Sequence, residues 1–377
     1  MWPVGLLLIL GPLVTLHELG HYLVGRWFGV GAKAFSIGFG KELVGFDDSR
    51  GTRWKISALP LGGYVQFKGD MNAASQPPSD DEDATFGMAT QGALAEEDDR
   101  HVVGNSFHAA ELWKRALIVF AGPAMNIIIT IAIFAGFNML YGELDAPAQV
   151  AGFSEQSAGR EAGLEVGDTI AAIDGAPVES FMEVRQTVFM YPGRAIELTV
   201  DRGGDTLTIP VTLEDRTVTD RFGNESRIGL LGVLGADSER ITYGPVAAVG
   251  RAGEQTVELL DMMITGIGQL FIGERSIREL GGPIKIAKYS GEQLSLGPEA
   301  FVNFAALISI NLAFINLLPI PTLDGGHLAF YAAEAVRRKP VGPRGQEWAF
   351  RIGLSLVLML MLFVTINDIV SLPIFGS

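Results

Sequence analysis

The chain has 377 residues, 48% of them hydrophobic, and a formal net charge of −15. That is too apolar for an average soluble protein and too charged for one lying wholly in a membrane, so several spanning helices and at least one soluble domain are expected. The acidic balance speaks against nucleic acid as a partner, because phosphate binding requires clustered cations. The lack of cysteine excludes disulfides and thiolate metal ligands.

In chain order, the first element runs from about Val4 to Gly25. It is apolar and long enough for the ~30 Å hydrocarbon core, which takes about 20 residues of helix. No basic stretch precedes it and no small-residue cleavage site follows, so it reads as a retained transmembrane helix (residues 1–33) rather than a signal peptide. Inside it lies His17-Glu18-Leu19-Gly20-His21. Histidines four apart share one helix face and can reach one metal ion, with Glu18 placed to serve as general base toward water at the metal. Ionisable groups in so apolar a setting are costly and usually functional.

Residues 34–114 form a loop in two parts. Up to Lys68, partial alternation, aromatic residues and glycines predict short strands too apolar for a free solvent loop. Beyond it, Asp80-Asp-Glu-Asp and Glu96-Glu-Asp-Asp predict a disordered acidic tether. A second span follows at Ala116–Tyr141, within a segment 115–142. Residues 146–215 predict a compact α+β domain, whose Gly163-Leu-x-x-Gly-Asp-x-Ile-x-x-Ile-Asp-Gly175 pattern resembles the PDZ domains of bacterial proteases. Such domains bind extended peptides by strand addition. Residues 216–299 read as a linker containing an amphipathic surface helix at Pro245–Ile272. The last part, 300–377, holds spans at Val302–Pro319 and Ile352–Val370. Cations flank the first loop (Arg26, Lys33, Lys41, Lys114, Arg115) and the final connection (Arg337, Arg338, Lys339, Arg344). By the positive-inside tendency both connections face the cytoplasm, leaving the termini and the PDZ-like domain outside and the metal motif near the cytoplasmic side.

A catalytic zinc needs three protein ligands and an open position. Candidates for the third are His101, His108, His327 and Asp324, the last within Asn316-Leu-Leu-Pro-Ile-Pro-Thr-Leu-Asp324-Gly-Gly-His327. Two prolines and a carboxylate at membrane depth break the helix and are tolerated only against protein or a watery cavity.

His-Glu-x-x-His in the first span, Gly122-Pro-Ala-Met-Asn126 in the second, Gly282-Pro-Ile before the third and Asn-x-x-Pro-x-Pro-x-Leu-Asp-Gly late in the chain together resemble the site-2 protease family of intramembrane zinc metalloproteases. The similarity covers nearly the whole chain and is greatest to the regulator-of-sigma-E branch, whose best-known form carries two PDZ domains in tandem where this chain has room for one. The resemblance implies a multi-pass α-helical membrane protein with four transmembrane helices, a membrane-reentrant β-element and an inserted PDZ domain. It implies Zn2+ held by His17, His21 and Asp324, Glu18 as catalytic base, Asn316 near the substrate or oxyanion, and Gly62, Gly63 and Tyr64 in a strand that presents substrate. It further implies the bacterial inner membrane, single-span substrates such as an anti-sigma factor or remnant signal peptides, and an upstream site-1 protease. Two other classes compete. A catalytically idle PDZ scaffold has no need for all of His17, Glu18, His21 and Asp324, and a metal-ion transporter needs polar groups that the Ser355–Val364 run lacks.

Overall fold

The computed structural model describes residues 2–69, 102–219, 225–273, 281–339 and 341–370. The acidic stretches at residues 80–83 and 96–99 lie outside them, as does His101. In chain order the elements are α1 (Trp2–Trp27), β1 (Ala32–Asp47), β2 (Arg53–Phe67), α2 (Leu112–Leu140), β3 (Glu143–Asp145), β4 (Val150–Phe153), α3 (Ala158–Glu161), β5 (Thr169–Ile173), β6 (Ala176–Pro177), α4 (Phe181–Phe189), β7 (Ala195–Arg202), β8 (Asp205–Thr212), β9 (Glu214–Thr219), β10 (Glu225–Leu230), β11 (Val233–Gly235), β12 (Glu239–Ile241), α5 (Pro245–Ile272), α6 (Pro283–Leu296), α7 (Pro298–Leu317), α8 (Asp324–Arg337) and α9 (Pro343–Val370). Among the described residues, α1, α2, α7 and α9 are long and apolar enough to cross a membrane. The chain forms two compact units, Met1–Phe134 with Ala252–Ser377, and Ala135–Arg251.

In the first unit, helices approach through small residues. A side chain at Gly20 would overlap the carbonyl of Ala121, and one at Gly5 the backbone of Ser290, so α1 packs closely on α2 and α6. Asp368, in the last turn of α9, is fully buried and accepts hydrogen bonds from the backbone N–H groups of Gly282, Ile284 and Lys285 at 3.0, 3.1 and 3.0 Å. It thereby caps the start of α6, where those donors have no partner within the helix.

The β1–β2 pair is more than a plain hairpin. Ala34 and Phe35 lie opposite Gln66 and Val65 and also opposite Arg53 and Trp54, while Asp47 pairs with Arg53 on the far side. Residues 34–37 are therefore an inner position, and among the described residues the 63–67 end of β2 is an outer edge. Asp48 ties this sheet to α1, accepting from Tyr22 Oη at 3.3 Å and Trp54 Nε1 at 3.2 Å.

The second unit is built on a four-stranded sheet of order β6-β5-β7-β8. Val150, Ile170, Val184, Leu198 and Val200, all 0–1% exposed, anchor its aliphatic core. Ser157 and Ser180 cap α3 and α4, each accepting from a backbone N–H three residues on. Sequence reading ends this domain at residue 215 and places a linker after it. The structure instead adds four strands: β9 pairs with β10, β11 with β4 and β12 with β3. They escape a period-two reading because the half-buried positions of β9, Glu214 and Arg216, are charged, and the first half of β10 is exposed. The segment 216–299 also holds a second helix, α6, besides α5.

Candidate metal centre

α1 presents His17 and His21 on one buried face, 6% and 8% exposed. Asp324 reaches them from the other end of the unit's sequence because the chain turns sharply ahead of it. α7 stops at Leu317, since a residue preceding proline disfavours the helical region, and the chain then turns through Pro319 and Pro321, with the Ile320 N–H bonded to the Leu318 carbonyl and the Leu323 N–H to that of Ile320. A side chain at Gly325 would overlap the carbonyl of Leu317, and one at Gly326 that of Ile320. Two glycines are thus required for α8 to begin at Asp324 with its carboxylate turned back toward α1.

The result is one donor cluster. One ligand atom from each of His17, His21 and Asp324 lies within 4.8 Å of the others. Asp324 Oδ2 is 3.2 Å from His17 Nε2 and 3.5 Å from His21 Nε2, and the two Nε2 atoms are 3.2 Å apart. Among the described residues no other such group occurs. His327, one turn along α8, is not part of it, and His108 sits on a short 3-10 helix at Phe107–Ala109. Of the third-ligand candidates that the structure describes, Asp324 is the one brought to the histidines.

Two features test whether a cation fits. Asp324 Oδ2 is buried without a hydrogen bond, although both Nε2 atoms face it. On the far side of one ring, His21 Nδ1 sits 2.8 Å from the carbonyl of Ile118, to which it donates, so the ring when neutral has its lone pair on Nε2. That lone pair and the Asp324 carboxylate then converge, as a metal site requires. The second feature is Gly122, where a methyl group would overlap His21 Nε2 and His17 Cε1. The helix facing the histidines has been left bare at the position where bulk would exclude an ion.

Glu18 is half-buried, and its Oε2 accepts the Val65 N–H at 3.1 Å from the outer edge of β2. Gly62, Gly63 and Tyr64 precede Val65 on that strand. Gly62 has φ +145°, and a side chain at Gly63 would overlap the Ser36 carbonyl and lie 3.8 Å from Glu18 Cγ. Tyr64 is buried, its ring 6.2 Å from that of Phe39. Asn316 occupies the last turn of α7, half-buried and outside the donor cluster.

A family model described as Peptidase family M50 matches residues 5–360. The chain belongs to that family. A protein of Agrobacterium fabrum named as a zinc metalloprotease is 44% identical over 370 residues, covering 97% of this chain and 95% of that one. Metalloprotease MmpA of Caulobacter vibrioides is 35% identical over 383 residues, covering 97% and 94%. Among solved structures, the PDZ domain of an SdrC-like protein from Listeria innocua is 22% identical over 25% of this chain and 99% of that one, with a TM-score of 0.20. The M50 membership and the His-His-Asp donor set make zinc the cofactor.

One contributor escapes a reading of the sequence: the Ile118 carbonyl is backbone, which any residue could supply.

Proposed function

We propose that this M50 metalloprotease cuts single-span membrane proteins within the membrane, in the manner called regulated intramembrane proteolysis. The observation that carries this reading is the donor cluster with Glu18 beside it, built on a helix apolar and long enough to span a bilayer. The substrates we infer are remnants already trimmed by an upstream site-1 protease, such as an anti-sigma factor, and leftover signal peptides. The location we infer is the bacterial inner membrane, with the PDZ-like unit periplasmic and the zinc site toward the cytoplasm. Exposed Leu43, Val44 and Phe46 on β1 and Leu59 on β2 support a membrane seat for that sheet.

His17, His21 and Asp324 would hold the ion. Zinc, when bound, supplies Lewis acidity toward the scissile carbonyl and lowers the pKa of water. The chain's own groups do the rest. Glu18 removes a proton from the attacking water and hands it to the leaving amine. A helical peptide bond is shielded by its own hydrogen bonds and by dry surroundings, so the substrate must first be drawn out as a strand. The 63–67 edge of β2, adjoining Glu18, supplies a surface for that pairing. Asn316 is proposed to steady the substrate or its oxyanion.

The test is cleavage of a model single-span substrate by purified protein in detergent, with and without a zinc chelator, beside Glu18→Gln. Loss of a general base costs about 10²–10⁴-fold, and the variant should retain zinc. Substantial proteolysis by Glu18→Gln would remove Glu18 as the base. Zinc binding without cleavage of any trimmed substrate would favour a PDZ-like scaffold that sequesters peptides instead.

A further inference from the structure

Resting on the zinc reading, we infer that Asn126 is a positioning residue that holds His17 in its ligating tautomer. Each histidine ring has a second nitrogen facing away from the donor cluster, and each needs a partner to fix its proton there. For His21 that partner is the Ile118 carbonyl. For His17 it is the Asn126 side-chain amide on α2, with Nδ2 placed 3.2 Å from His17 Nδ1.

As placed, that amide faces the ring with the wrong atom. If His17 ligates through Nε2, its Nδ1 carries the proton, and an NH2 group opposite would set donor against donor. Asn126 Oδ1 is meanwhile buried with no partner at all. A half-turn about the Cβ–Cγ bond exchanges the two atoms: Nδ1–H then donates to Oδ1, and the NH2 group takes the oxygen's former place. The unsatisfied oxygen thus points to the state of the ring across from it.

The residue is also held against drift. Asn126 is fully buried, and its backbone carbonyl accepts from Thr130 Oγ1 at 3.0 Å and from Ser309 Oγ of α7 at 2.9 Å. Thr130 Oγ1 lies 3.2 Å from the Ala306 carbonyl as well. Three helices are joined at this point: α1 through His17, α2 through Asn126 and α7 through Ser309. Of the two partners that orient the ligands, this one alone is a side chain, so it alone can be removed by substitution.

The experiment measures zinc affinity by chelator competition on the full-length protein in detergent, for wild type, Asn126→Leu, Asn126→Asp and Thr130→Val. Asn126→Leu is similar in volume and cannot accept a hydrogen bond; its zinc affinity should fall by about 10–100-fold. Asn126→Asp accepts from Nδ1–H and should restore affinity to within about threefold of wild type. Thr130→Val loosens the same α2–α7 packing without touching His17, and should lower zinc affinity far less than Asn126→Leu does. If Leu binds zinc as wild type does, or if Thr130→Val loses as much as Leu, Asn126 does not orient His17. A wild type that holds no zinc would sink the metal reading and this inference with it, whereas zinc-bound wild type with indifferent variants overturns the inference alone.

Discussion

The two units of this chain solve opposite packing problems. In Ala135–Arg251 the core is aliphatic, and the one charged buried residue among those described, Asp168, is closed off by Arg202. The first unit buries His17, His21, Asn126, Thr130 and Ser309 among helices apolar enough to span a membrane. Where water is scarce, every such group must find its partner within the protein. Asp324 Oδ2 and Asn126 Oδ1 are among the buried atoms there without a hydrogen bond, as are Thr52 Oγ1 and Thr322 Oγ1. The first two flank His17 on opposite sides.

The strongest way to break this contrast is to fill the space kept clear for the ion. Gly122→Ala places a methyl on both imidazoles, and should lower zinc affinity by at least about 100-fold, because displacing a ligand costs no less than losing its outer partner. Chelator competition reads the loss, and hydrogen exchange at β7 and β8 should be unaltered. Next in size is a cavity in the other unit. Leu198 is fully buried, and Leu198→Ala should cost about 2–5 kcal/mol locally. The same exchange measurement reads it, with zinc affinity unchanged. A loss of zinc affinity in Leu198→Ala would show that the two cores are not energetically separate.

How far the sequence reveals each unit follows from the same contrast. His17 and His21 are legible because a spacing of four fixes their common face whatever surrounds the helix. Asp324 is harder. Its chemistry is visible, but its arrival beside α1 depends on the Pro319, Pro321, Gly325 and Gly326 turn and on packing between distant segments. The Asn126 contact depends on a helix rotation that no local pattern encodes. In the second unit, β7 and β8 alternate clearly and are readable, while β11 and β12 are three-residue strands that pair with β4 and β3 some 80 to 100 residues earlier. Strands that short carry no period.

The smallest effects concern charge in the second unit, and they separate burial from mere pairing. Asp168, 1% exposed, receives Arg202 Nε at 2.7 Å and Nη2 at 2.8 Å, and the Glu165 N–H at 2.9 Å. Its hydrogen bonds to the Arg202 guanidinium hold its carboxyl below the usual carboxylate range, against the opposing effect of burial. A depressed carboxylate stabilises the fold above its unfolded pKa of about 3.9, and that contribution disappears as pH falls through the lower folded value. Asp168→Asn should therefore cost about 2 kcal/mol at neutral pH, and its deficit against wild type should shrink below about pH 4. Asp215 is likewise held low by hydrogen bonds from Arg227, yet its side chain is 39% exposed. There water already solvates both ions, so Asp215→Asn should change stability by less than about 1 kcal/mol. Equal costs for the two substitutions in the same exchange measurement would mean that pairing, rather than burial, sets the worth of a charge in this unit.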